Sequence, residues 1–254
     1  MGDNDGPRRR IFDAPRMPRV FAIVPAAGQG TRIGDPVPKQ YIALAGKPMV
    51  FHSLAALARV RRIERIFVVL APGDRHWSRH DWGALGNRVE ALREGGPHRA
   101  QSVANALAAI EPRVAKDDWI LVHDAARPCI RTELVEQFLD ELGDDPVGGL
   151  LAMPLADTLK SASELQRVAA TIPRLNLWRA QTPQAFRYAL LRSGLARCPE
   201  ATDEAQAVES VGKAPRLVEG ENGNLKVTFA EDLALAEMIL ALQAARPDAA
   251  QGRA

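Results

Sequence analysis

The residues best suited to chemistry in this chain of 254 residues fall in a few short stretches. Residues 24–41, VPAAGQGTRIGDPVPKQY, form a glycine-rich loop at the end of an apolar run. Its small residues Ala26, Ala27, Gly28 and Gly30 let backbone N–H groups come close to an anion. Arg32 and Lys39 add two different cations, a planar fork and a compact point charge. The spacing is not the G-x-G-x-x-G that seats a pyrophosphate, and no Gly-Lys-Ser/Thr closes a P-loop. The stretch equally suits an ordinary turn-rich connection carrying two solvated bases.

Asp124, in HDAARP (residues 123–128), lies at the end of a predicted buried strand. A lone carboxylate there suits Mg²⁺, which keeps most of its waters and needs few protein ligands. A helix cap or a salt bridge to Arg127 is the competing reading. His123 is read as structural, turned back into the sheet. GGPHRAQSV (residues 95–103) is a tight turn before a helix start, where free N–H groups and Ser102 could meet a base or a sugar. TDEA (residues 202–205) reads as a helix cap with first-turn acids. Lys226, in NLKVT, stands in an apolar strand, where an unpaired ammonium is costly. An anionic ligand or an acidic side chain would relieve it.

Positioning these residues falls to short apolar runs that alternate with helical patterns. Strands are expected at residues 20–24, 66–70, 88–92, 119–122, 149–153, 216–219 and 225–228. Helices are expected at 48–58, 99–110, 132–142 (capped by Thr132, with Glu133 in its first turn), 186–196, 203–211 and 231–243. Residues 157–174 read as polar and turn-rich, and 173–186 as irregular. Continuous apolar strands separated by helices predict an α/β fold, a mostly parallel sheet with helices on both faces. Such sheets bind ligands at the carboxyl ends of their strands, where the unusual loops fall. One domain is expected over 19–244, between a disordered tail at 1–18 and a second tail at 245–254.

Apolar residues make up 46 % of the chain and the net charge is +2. That composition favours a globular protein and offers no electrostatic footprint for nucleic acid. No apolar run reaches membrane-spanning length, and no secretory h-region opens the sequence, so a cytoplasmic location is expected. The two cysteines, Cys129 and Cys198, support neither a disulfide framework nor a zinc site. No Ser-His-Asp order and no H-E-x-x-H can be assembled. Nucleotidyl transfer onto a phosphate monoester needs neither. Its nucleophile is already anionic, and the protein's work is alignment and charge stabilisation.

In order along the chain, PAAGQGTRIG, PKQY, GGPHRAQSV, HDAARP, DTLK, PRLNLWRAQTPQAF, TDEA and NLKVT…EDL resemble the 2-C-methyl-D-erythritol 4-phosphate cytidylyltransferase family. The resemblance implies a Rossmann-like nucleotidyltransferase fold that joins CTP to a sugar-alcohol phosphate with Mg²⁺ and releases pyrophosphate. It implies catalytic roles for Arg32, Lys39, Arg174 and Lys226, the first two on the triphosphate and the last two on the methylerythritol phosphate. Pro25, Ala26, Ala27, Gly28, Gly95, Gly96, Ser102, Asp124 and Ala125 would surround the nucleotide, with Asp124 also the metal ligand. It further implies a protruding dimerisation arm at about 157–174 in a homodimer. Thr158, Arg174 and Thr182 would serve the neighbour's site.

The chain departs from the family pattern at Ala156, where Arg is frequent, and at Ser161, where Lys-Arg is frequent after Asp-Thr. Both fall on the arm. A second, cyclase domain, fused in some relatives, is not expected. A cytidylyltransferase for ribitol or another polyol phosphate is the nearest rival reading. HDAARP favours the methylerythritol enzyme. A regulatory nucleotide-binding protein is the rival from another class, and the presence of Lys39 and Lys226 argues against it.

Overall fold

The computed structural model describes residues 16–28 and 37–245. The first strand, β1 (Val20–Pro25), shows how the sequence builds the interior. Val20, Ala22 and Val24 face one apolar cluster, and Phe21 and Ile23 face another. A strand's side chains alternate between faces, so a continuous apolar run is buried on both. β4 (Ile63–Val69) and β6 (Trp119–Val122) divide their residues in the same way.

Seven strands form one sheet in the order β11-β7-β10-β6-β1-β4-β5. Its other members are β5 (Val89–Leu92), β7 (Gly148–Pro154), β10 (Trp178–Arg187) and β11 (Arg216–Glu219). Only β10 runs against its neighbours β6 and β7, so the sheet is mostly parallel, as expected. The helices α1 (Met49–Arg59) and α3 (Thr132–Leu142) cover one face through Leu54, Leu57, Leu134 and Phe138. On the other face lie α2 (Arg99–Ile110), α4 (Tyr188–Arg197) and α5 (Glu204–Glu209). A third, smaller cluster joins α6 (Glu231–Ala244) to Leu44, Met49, Cys129 and Val227. Beside it lies a short antiparallel pair, β2 (Ala43–Leu44) with β3 (Lys47–Pro48).

Several expectations are corrected. Arg131 occupies the cap position of α3, and the Thr132 hydroxyl instead donates to the Ala56 carbonyl at 3.0 Å, tying α3 to α1. Residues 157–174 are not merely turns. They hold an antiparallel hairpin, β8 (Leu159–Ala162) with β9 (Val168–Ile172). The stretch thought irregular at 173–186 supplies β10, and Phe186 belongs to that strand rather than to a helix. Residues 225–228 form no strand. Their backbone is held by Val227 N–H on the Ala126 carbonyl at 2.8 Å, and by Asp232, which accepts from the N–H groups of Thr228 and Phe229.

Most of the expected N-terminal tail, residues 1–15, lies outside the described residues, as do 246–254. Arg16 and Arg19 both pair with the buried Asp118 at 3.1 Å, which ties the start of the described chain to the residue before β6.

Candidate active site

From β1 the chain continues to β4 and β5 on one side, and β6 then pairs on β1's other side. The strand order therefore reverses between β1 and β6, and open α/β sheets bind ligands in the crevice at such a point. A cavity of about 500 Å³ opens there. Of the expected residues, Pro25, Ala26, Ala27, Gly28 and Lys39 line it from the first loop. Gly96 and Ser102 line it from the turn after β5, and Asp124, Ala125 and Lys226 close its floor. Arg32 lies outside the described residues.

The two glycine-bearing loops meet because Gly95 has no side chain. A Cβ there would stand 2.4 Å from the Ala27 Cβ and 2.7 Å from the Leu70 carbonyl oxygen. Gly95 N–H donates to that carbonyl at 2.8 Å. Gly95 thus acts beside the cavity by closing the turn. The Ser102 hydroxyl accepts from Gly96 N–H at 3.0 Å and donates to the His98 carbonyl at 3.1 Å. Its first job is to lock the turn at the start of α2. Gln40 steadies the first loop by donating to the Ala26 carbonyl at 2.6 Å.

Asp124 is the electrostatic centre. Its Oδ1 accepts from Arg99 Nε and its Oδ2 from Lys226 Nζ, each at 2.8 Å. Burial alone would raise this carboxyl, but Arg99 and Lys226 hold it well below the usual carboxylate range. Neither competing reading of the Asp124 side chain, a helix cap or a salt bridge to Arg127, describes it: its ion pairs are with Arg99 and Lys226. An acidic side chain does relieve Lys226, whose side chain stays 45 % exposed at the cavity. Among the described residues no three His, Cys, Asp or Glu side chains gather as a metal cluster.

Arg99 is the residue that sequence reasoning missed. Its Nη1 and Nη2 donate to the two oxygens of Glu204 at 2.7 and 2.9 Å while its Nε holds Asp124. Burial opposes its charge, but Glu204 and Asp124 together raise its pKa well above the ordinary value. The available signal was weak: a single Arg inside GGPHRAQSV and a Glu that already passed as a first-turn acid.

A network behind the floor fixes the backbone. Thr182 Oγ1 accepts from Asp124 N–H at 3.0 Å, which leaves its hydroxyl proton for His123 Nδ1 at 3.1 Å. His123 Nε2–H then donates to the Arg127 carbonyl at 3.2 Å, an assignment that follows from the bonding pattern. Burial lowers the His123 pKa to about 4, so the ring is neutral and structural, as expected. Arg127 donates to the Asn224 carbonyl at 2.7 Å, and Asn224 Nδ2 to the Thr182 carbonyl at 2.7 Å. These bonds, with Val227 on Ala126, carry Lys226 to Asp124.

Thr182, expected to serve a neighbouring copy, is instead buried beneath this chain's own Asp124. A register shift in the β10–β7 pairing between Ala180 and Gln184 turns the strand there. Thr158 and Arg174 sit exposed on or beside the hairpin, and neither lines the cavity. Every residue from 162 to 180 is exposed, including Leu165, Val168, Ile172, Leu175, Leu177 and Trp178.

Similar proteins point the same way. Residues 20–242 match the family described as 2-C-methyl-D-erythritol 4-phosphate cytidylyltransferase. A protein of that name from Dechloromonas aromatica (strain RCB) is 57 % identical over 224 residues, spanning 88 % of this chain and 98 % of its own. Another, from Azoarcus sp. (strain BH72), is 54 % identical over 223 residues, spanning 88 % and 94 %. Among solved structures, a 4-diphosphocytidyl-2C-methyl-D-erythritol synthase superposes with a TM-score of 0.79 at 35 % identity, covering 89 % of this chain and 100 % of that one. The cytidylyltransferase from Thermus thermophilus gives 0.71 at 32 %, covering 88 % and 99 %. The fold, the cavity at the strand reversal and these likenesses agree, and the chain belongs to the 2-C-methyl-D-erythritol 4-phosphate cytidylyltransferase family.

Proposed function

We propose that this protein transfers the cytidylyl group of CTP onto 2-C-methyl-D-erythritol 4-phosphate, in isoprenoid precursor synthesis by the non-mevalonate route. An oxygen of the sugar phosphate attacks the α-phosphorus. The bond from that phosphorus to the bridging oxygen breaks, and pyrophosphate leaves. The observation that carries this reading is the Lys226–Asp124 pair, set at the floor of a cavity whose rim is the small-residue loop after β1.

Each group has work that suits the reaction. The nucleophile is anionic near neutral pH and calls for no strong base, which agrees with a neutral, buried His123. Ala26, Ala27 and Gly28 leave room for base and phosphates, and Lys39 and Arg32 offset charge as it develops at the reacting phosphorus. Lys226 meets the sugar phosphate. Asp124 would hold Mg²⁺ as the sole protein ligand through a lone pair that Arg99 and Lys226 leave free on its ionised carboxylate, with the other positions left to phosphate oxygens and water. Bound there, Mg²⁺ would neutralise triphosphate charge.

The exposed apolar run along the hairpin supports a homodimer in which the arm of one copy, with Thr158 and Arg174, reaches the other copy's site. We place the enzyme in the cytoplasm. No helix among the described residues is long and apolar enough to cross a membrane.

Pyrophosphate release with CTP and Mg²⁺ tests the reading. Rapid release with methylerythritol 4-phosphate and not with ribitol 5-phosphate is expected. Release only with ribitol 5-phosphate would reassign the substrate while leaving the nucleotide site in place.

A further inference from the structure

Glu204 is fully buried, and it touches neither the cavity nor any group the reaction needs directly. It is nonetheless held with care. It opens α5, whose cap Asp203 accepts from Gln206 N–H at 2.9 Å. The next residue, Ala205, donates its N–H to Gln184 of β10 at 2.8 Å. α5 packs on α4 so closely that a Cβ at Gly194 would stand 2.6 Å from the Ala207 carbonyl oxygen. Such a brace fixes the Glu204 carboxylate relative to the sheet. A buried ion pair adds little net stability over apolar packing, since desolvating both charges offsets their attraction. Its value therefore lies in geometry.

That geometry runs in one line. Glu204 takes both terminal nitrogens of Arg99, Arg99 Nε takes Asp124 Oδ1, and Asp124 Oδ2 takes Lys226. Two acids and two bases balance. A guanidinium with free terminal nitrogens grips a carboxylate by two parallel bonds. Glu204 takes one N–H from each terminal nitrogen and so fixes the plane and position of the guanidinium. Without it, Arg99 would be free to shift across the Asp124 carboxylate and compete with Lys226 for Oδ2. We propose that Glu204 is a positioning residue for this reaction: by gripping the end of the Arg99 guanidinium it holds Nε on Asp124 Oδ1, leaves Oδ2 to Lys226 and so sets where the sugar phosphate docks.

This inference rests on the cytidylyltransfer reading, and the test separates the two. The full chain and its Glu204→Gln variant are assayed with CTP and methylerythritol 4-phosphate. Glu204→Gln should raise KM for the sugar phosphate about fivefold or more while KM for CTP stays within about twofold. Because Glu204 acts through Lys226, Glu204→Gln added to Lys226→Ala should cost no more than Lys226→Ala alone in kcat/KM. A loss confined to kcat, equal rises in both KM values, or multiplying losses in the double variant would overturn the proposal. If Glu204→Gln does not fold, Arg99→Lys keeps the charge but not the fork. It must give the same split in KM, and any other pattern overturns the proposal. An inactive wild type would instead remove the cytidylyltransfer reading, and this inference with it.

Discussion

Lys226 Nζ stands 2.8 Å from Asp124 Oδ2, though the two residues belong to loops far apart in the sequence. The contact is lopsided: 45 % of the lysine side chain is exposed against 10 % of the aspartate. A half-exposed ion pair is weak in water. The ammonium can therefore trade part of its contact for an incoming phosphate, while Arg99 keeps Asp124 in place.

Lys39, on the cavity's rim, is expected to act most strongly as charge builds at the reacting phosphorus. Lys39→Ala should lower kcat by about a hundredfold and change CTP binding only a few-fold. Steady-state kinetics alongside calorimetric CTP titration measure the two, and equal losses would assign Lys39 to ground-state binding.

Thr182→Val keeps the side chain's shape and removes its hydroxyl. Asp124 N–H and His123 Nδ1 both lose a buried partner. Stability in urea should fall by about 1–3 kcal/mol. An unchanged midpoint would mean that water replaces the hydroxyl.

The His123 pKa is lowered by burial from 6.5 to about 4. Between those values the unfolded chain binds more protons than the folded one, so this residue's contribution falls as pH falls through that window. From pH 7.5 to 5 it should remove about 2 kcal/mol of stability. His123→Asn, which does not titrate, should flatten the pH dependence of urea unfolding by that amount. A slope identical to wild type would refute the burial argument.

The proposed exchange of arms between copies predicts complementation. Mixing and reassembling Lys39→Ala with Arg174→Ala should restore about a quarter of wild-type activity, since half the dimers are mixed and each mixed dimer holds one intact site. No recovery after proven subunit exchange would confine Arg174 to its own chain or to no role.

The parts legible in the sequence were those whose signal is local. The strand at Trp119–Val122 is apolar throughout, and the loops after β1, β5 and β6 carry glycines or charges that a strand end alone does not require. That Lys226 would need either an anionic ligand or an acidic side chain was also readable, although the strand expected around it does not form. β10 was hidden. Its Gln181, Thr182, Pro183 and Gln184 read as loop, since a central strand seldom takes Pro or buried amides. The fold accommodates them through a register shift and through bonds from Gln181 and Gln184 to α5 and to the residues before α6. Arg99 was hidden for a different reason: its partners arrive from β6's loop and from α5.

Among the described residues β10 is the sheet's one reversed strand, and the reversal has a consequence for the hairpin that precedes it. Because it pairs antiparallel with β7, with Trp178 opposite Pro154, the chain between them leaves and rejoins the sheet at one edge. That edge carries the carboxyl ends of β1 and β6, where the cavity opens. The hairpin is thus a cassette plugged into the reactive end of the sheet. A change in its length or sequence would leave every residue that lines the cavity in place.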